Sequence, residues 1–359
     1  MTKLTKIMLA MIASLSLLST SYAGEVTVTG NAEATYSISG AKTGTGVDDT
    51  DTVGGKGIGV ANEIDFTATG ETDNGYTWKY QTQFDDGTAV DDGRLEVTSP
   101  FGTLGFYVSE GGMRKSLHGV GALGSGFDYH SPASGTSGAF QTGYDVDGYA
   151  NVQYHTPADM LPFGATVKIA YAPSSGSAAA ANNSYKAGGA AVSEGFTTAT
   201  KVGTTASPFS QTAQMGRSAT HYQVTASPID GLTIGYAQQD VEVTTNTKGD
   251  ESTMYAKYAI GGFTVGIQMS ENDMETGSDY ESTGIGVSYQ VNDDLAISYG
   301  NHEIEEVSSG NPDQEAAALS FSYTMGSLGI VGTVHDVDNI DNSSTNSREA
   351  YSLGLSFNF

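Results

Sequence analysis

Six histidines, His118, His130, His155, His221, His302 and His335, are the side chains best suited to acid–base chemistry near neutral pH. Hydrolysis through a nucleophile would need a serine and a carboxylate in reach of one of them. No Gly-x-Ser-x-Gly turn or similar context is present. Cysteine is absent, no His/Cys spacing suits zinc, and no glycine loop suits a phosphate. Acidic runs at Asp48-Asp49-Thr50-Asp51, Asp85-Asp86 and Asp91-Asp92 offer hard oxygen ligands, with Asp48, Asp49 and Asp51 the weak candidates for a structural Ca²⁺. None follows the twelve-residue EF-hand pattern, and a solvated surface is the plainer reading. Enzymatic chemistry has no constellation here, and the expectation is no catalytic residue and no cofactor.

The remaining chemistry is electrostatic, and its placement depends on strands. Leu232-Thr-Ile234-Gly-Tyr236, Phe263-Thr-Val265-Gly-Ile267-Gln-Met269 and Leu295-Ala-Ile297-Ser-Tyr299 alternate apolar residues with small or polar ones. In a strand this gives one apolar face and one hydrophilic face. By that parity Glu33, Glu63, Asp65, Lys79, Arg94, Lys168 and Lys257 lie on the hydrophilic side. Trp78, the single tryptophan, lies on the apolar side with Tyr76 and Tyr80.

Turn signals divide the strands. Ser227-Pro-Ile-Asp-Gly231, Ile260-Gly-Gly262, Val291-Asn-Asp-Asp294 and Met325-Gly-Ser327 are short and rich in residues that tolerate positive φ. Longer polar stretches, such as 240–251 and 337–348, alternate with them. The spacing predicts sixteen strands: 25–39, 60–70, 76–84, 94–99, 103–109, 148–156, 165–172, 218–227, 232–239, 253–260, 263–270, 281–290, 295–303, 316–323, 328–335 and 349–359. Two very long connectors follow the fifth and seventh strands, the second rich in Ala, Gly, Ser and Thr. Ten residues at about 3.3 Å, tilted about 45°, rise about 24 Å, which suits a bilayer's apolar band.

The first residues read as an export signal. Lys3 and Lys6 precede the apolar run from Ile7 to Leu18, and Ser21-Tyr22-Ala23 has small residues at cleavage spacing. The expected division is a signal peptide at 1–23 and one domain at 24–359. Removing Lys3 and Lys6 takes the formal charge from −26 to −28. So acidic a chain is unsuited to nucleic acid, which wants a basic stripe.

A ring of sixteen one-sided strands encloses more space than its side chains fill. Its outer face would aggregate in water, and lipid suits it. Closure also pairs every backbone group between strands, as the hydrocarbon core requires.

The chain resembles the sixteen-stranded general porins of Gram-negative outer membranes, over essentially the whole of 24–359. Tyr351-Ser-Leu353-Gly-Leu355-Ser-Phe357-Asn-Phe359 is similar to that family's last strand, and Ser99-Pro100-Phe101-Gly102-Thr103-Leu104 to the turn before its fifth. The resemblance implies an all-β, sixteen-stranded antiparallel transmembrane barrel with long external loops and a third loop folded into the pore. It also implies outer-membrane residence beside lipopolysaccharide, usually as a homotrimer. Tyr351, Phe357 and Phe359 would form the signal read by the barrel-assembly machinery.

By position, 110–147 matches the third loop, so Glu110, Asp128, Asp145 and Asp147 are its acidic candidates and Arg114, Lys115 and His118 its basic ones. Lys79, Arg94, Lys168, Glu63 and Asp65 are the wall candidates of the constriction. Two features depart from the family: the Pro-Glu-Phe-Gly-Gly-like run of the third loop is absent, and basic residues are too few for a dense arginine cluster. The function implied is passive diffusion of ions and small hydrophilic solutes, with cation preference from the acidic wall. A substrate-specific channel is the nearer rival, but aromatics fall mostly on the lipid-facing parity, Tyr255 excepted. A non-conducting structural or adhesive barrel is the third reading, separated from both by conductance.

Overall fold

The computed structural model describes residues 24–41, 53–85, 88–108, 111–113, 151–172, 218–244, 247–275, 277–339, 342–344 and 347–359. They form sixteen strands: β1 (Val26–Ala41), β2 (Val53–Glu71), β3 (Thr77–Asp85), β4 (Thr88–Ser99), β5 (Gly102–Val108), β6 (Asn151–His155), β7 (Thr166–Ala172) and β8 (Ala219–Ile229) in the first half. The second half is β9 (Leu232–Thr244), β10 (Thr247–Ile260), β11 (Phe263–Met274), β12 (Tyr280–Gln290), β13 (Leu295–Glu306), β14 (Gln314–Met325), β15 (Leu328–Asp338) and β16 (Arg348–Asn358). Each pairs antiparallel with its sequence neighbours, and β1 pairs with β16, so the sheet closes into a barrel.

Turn chemistry sets the short-connector end. Gly231, at φ 78°, ends the β8–β9 turn, and an added Cβ there would run into the Ala259 carbonyl oxygen. Between β12 and β13 the Asn292 side chain accepts from the backbone N–H groups of Asp294 and Leu295, both at 2.9 Å. Pro228 lies within β8, where the register shifts between Ala226 and Ile229. A closed sheet has no edge strand to hold a proline, so a bulge takes it.

Side chains alternate as the pattern requires. On β11 Phe263, Val265, Ile267 and Met269 are exposed, while Gln268, Ser270 and Asn272 are buried on the other face. The apolar set of each strand aligns with that of its neighbours, as in Tyr36 opposite Leu353 and Ala34 opposite Leu355. Aromatic rings cross facing glycines: Trp78 lies over Gly70 and Phe321 over Gly332. Phe263 and Tyr289 pack at 4.4 Å between centroids, forming part of an outward aromatic belt.

Three expectations are corrected. Residues 240–251 are not a loop: β9 runs to Thr244, β10 starts at Thr247, and Asp240 stands opposite Asp250. Likewise Asp85, Asp91 and Asp92 lie in β3 and β4, not in a loop. β2 starts seven residues before the expected 60, at Val53. The cause is common to all three: backbone pairing continues past the apolar band, where outward positions turn polar and the apolar alternation stops. Asp250 faces Asp273, Glu271 faces Glu281, and Glu303 faces Glu315 in this outer rim.

Candidate functional site

The inner wall of β2–β6 carries two chains of polar side chains, one joined by hydrogen bonds and one by hydrogen bonds with a ring stack. Asp65 on β2 accepts from Gln81 Nε2 on β3 at 2.7 Å. Gln81 Oε1 accepts from Arg94 Nε on β4 at 2.9 Å and from the same guanidinium's Nη2. An acid and a base two strands apart are thus joined through one amide, which serves as donor to one and acceptor from the other.

In the second chain, the Tyr107 hydroxyl on β5 donates to Glu96 on β4 at 2.8 Å. The Tyr107 ring stacks on His155 of β6, with centroids 6.2 Å apart and planes 28° apart. His155 Nε2 pairs with Gln153 Oε1 at 2.8 Å, and Gln153 Nε2 donates to the Gly111 carbonyl at 2.6 Å. Lys168 stands opposite His155 on β7.

Residues 111–113 lie against this inner surface. Met113 is fully buried among Ala170 and Ala172 of β7, Ala219 of β8 and Val241 of β9. Ala172, Ala219 and Val241 stand at one height on three adjacent strands. Gln223 Nε2 on β8 donates to the Met113 carbonyl at 2.9 Å. A small apolar socket in a polar wall therefore receives one methionine.

Farther round, β8–β15 present hydroxyls, amides and imidazoles: His221, Gln239, Thr253, Gln268, Ser298 and His302 are all buried. Ser298 and Ser320 share a hydrogen bond of 2.8 Å, and Thr253 and Ser270 one of 2.9 Å. A closed ring, apolar outside and hydrophilic inside, is a wall that lipid and water can each wet from one side.

Residues 7–359 match the family described as Gram-negative porin. The chain belongs to that family. The porin fold recurs in solved structures at low identity. An anion-selective porin from Comamonas acidovorans is 12% identical, with a TM-score of 0.62, over 93% of this chain and 99% of that one. OmpT, an outer membrane protein of Vibrio cholerae, is 15% identical with a TM-score of 0.57, over 95% and 100%. A mutant of Rh. blastica porin is 14% identical with a TM-score of 0.59, over 93% and 100%. No curated protein matches the chain. Family and fold make this porin an outer-membrane channel protein.

Of the constriction candidates, Glu63, Asp65, Lys79, Arg94 and Lys168 face the lumen of the porin, as parity predicts. Asp65 and Arg94 are joined through Gln81. Glu110, Arg114, Lys115, His118, Asp128, Asp145 and Asp147 lie outside the described residues, as do the signal segment 1–23 and Asp48, Asp49 and Asp51. Among the described residues no group of three His, Asp or Glu is placed to hold a metal ion. Tyr351, Phe357 and Phe359 are exposed on the apolar outer face. Sequence reasoning missed Gln81, Glu96, Tyr107, Gln153 and Met113. Parity marks the first four as lumen-facing, but nothing in their types or spacing singles them out.

Proposed function

We propose that this porin is a passive, water-filled diffusion channel for ions and small hydrophilic solutes, with a preference for cations. The observation that carries it is the charge of the inner wall. Glu33, Glu63, Asp65, Glu71, Glu96, Glu251 and Glu306 are its described acids; Lys79, Arg94, Lys168 and Lys257 are its described bases. Acids outnumber bases, and a narrow passage walled in low dielectric concentrates counter-ions.

On this reading the constriction lies at the Asp65–Gln81–Arg94 and Glu96–Tyr107–His155 chains, beside residues 111–113. The Met113 socket supports a third loop that turns into the barrel, with Glu110, Asp128, Asp145 and Asp147 as its acids and Arg114 and Lys115 as its bases. The proposal includes export by the 1–23 signal, recognition of Tyr351, Phe357 and Phe359 by the assembly machinery, and a homotrimer. The outward acids of the rim face the lipopolysaccharide leaflet, where divalent cations bridge carboxylates and phosphates; Asp48, Asp49 and Asp51 remain the Ca²⁺ candidates.

Reversal potentials across a tenfold KCl gradient test the preference. A cation-selective potential near 0.1 M salt should fade toward 1 M, where the Debye length falls to about 3 Å. An anion-selective potential at low salt contradicts the reading.

A further inference from the structure

The inner wall of β10–β14 contains a lane without long side chains. Lys257 on β10 stands opposite Gly266 on β11, Gly266 opposite Gly286 on β12, Gly286 opposite Gly300 on β13, and Gly300 opposite Ala318 on β14. All face the lumen, since Val265, Ile267, Ile285 and Tyr299 beside them are exposed on the apolar outer face. Three glycines abreast leave about 10 Å of wall without side chains, two strand spacings; Gly266 and Gly286 are half-buried and Gly300 is buried. Glycine inside a strand weakens it and marks a place where something approaches the backbone closely.

The two borders of the lane differ. Toward the short-connector end lie Ser298 and Ser320, whose hydroxyls satisfy each other at 2.8 Å. Toward the other end lies Gln268, opposite Tyr255 and beside Gly266. Gln268 is 1% exposed, and among the described residues neither its Oε1 nor its Nε2 has a hydrogen-bond partner. A buried amide left unpaired is costly and rare in native proteins. Lys257 closes the lane at β10 and makes no ion pair among the described residues. The lane thus has a cation at one end, a flat floor, and an unsatisfied donor–acceptor pair along one side.

We propose that this lane is a solute subsite for small hydroxylated carboxylates. The carboxylate meets the Lys257 ammonium, the carbon chain lies flat on the β11–β13 backbone, and a hydroxyl bridges the Gln268 amide. A hydroxyl both donates and accepts, which is what an amide offers. A neutral sugar would use only Gln268, and acetate only Lys257, so a molecule with both groups binds better than either. The inference rests on the pore reading, because the solute must reach the lane through the lumen.

The test uses the full protein refolded into planar bilayers, with D-gluconate, D-glucose or acetate added to one side. Gluconate should give a saturable block at concentrations where glucose and acetate give none. Lys257→Met and Gln268→Leu should each weaken the gluconate block about tenfold or more, the loss of one strong hydrogen bond. Gly286→Leu should do the same by filling the floor. Gluconate lowering the current no more than glucose at equal viscosity overturns the subsite, as does a block unchanged in both Lys257→Met and Gln268→Leu. Failure of the unsubstituted barrel to conduct at all overturns the pore reading instead.

Discussion

Phe359 and Gly30 exchange both backbone hydrogen bonds, 2.9 Å from Gly30 N–H and 3.0 Å from Phe359 N–H. The Phe359 ring covers the glycine, so that an added Cβ on Gly30 would lie 2.9 Å from the ring and run into the Glu63 carbonyl oxygen. The pair extends the β1–β16 seam by one rung past Asn31 and Asn358.

Deleting Phe359 should lower stability by about 1–3 kcal/mol, for two net backbone hydrogen bonds at about 0.5–1.5 kcal/mol each. The midpoint of heat-induced mobility change in gel electrophoresis reads this. Gly30→Val should be at least as harmful, because its Cβ meets backbone that cannot yield without opening the seam. A Gly30→Val barrel of unchanged midpoint would contradict the packing described.

Ile267 and Thr264 lie on one strand and face opposite solvents. Ile267→Arg puts a charge in the apolar band and should cost about 2–4 kcal/mol near the bilayer midplane, less nearer an interface. Thr264→Arg enters the lumen and should leave the midpoint nearly unchanged. Equal destabilisation by both would show that the wall does not separate lipid from water.

Parity explains why so much of the barrel is legible in the sequence. Glu63, Asp65, Lys79, Arg94 and Lys168 fall on the hydrophilic side from alternation alone, because a strand's period is 2. The 240–251 segment misleads because a strand in water needs no apolar side, and Asp240 opposite Asp250 resembles a loop in composition. The Asp65–Gln81–Arg94 chain depends on registers across three strands, which local sequence does not encode. The Met113 socket is harder still: Ala172, Ala219 and Val241 carry no signal until three strands bring them abreast.

Arg94 should oppose cation passage. Arg94→Gln removes one positive charge from the wall and frees Asp65 and Gln81 to face permeant cations. A unit charge about 8 Å from an ion in water is worth about 0.5 kcal/mol, roughly halved by screening at 0.1 M. The effect is opposite in sign for cation and anion, so the cation-to-anion permeability ratio should rise about two- to threefold. Reversal potentials at 0.1 M KCl check the sign. An unchanged ratio would place Arg94 outside the ion's path, and a fall would contradict its opposition to cations.

Met113 seats residues 111–113 on the wall. Met113→Asp puts a charge in the socket formed by Ala170, Ala172, Ala219 and Val241, and should release that segment from the wall. Single-channel currents should become noisier and larger, while the thermal midpoint moves little because the sixteen-strand ladder stays intact. Unchanged current with a lowered midpoint would make Met113 a structural residue only.

The most direct measurement is the current through one refolded barrel in a planar bilayer in 1 M KCl. If the ring encloses water, current should rise in discrete ohmic steps, with protein that runs as a folded barrel in the gel. Folded protein that inserts without passing current would contradict the account.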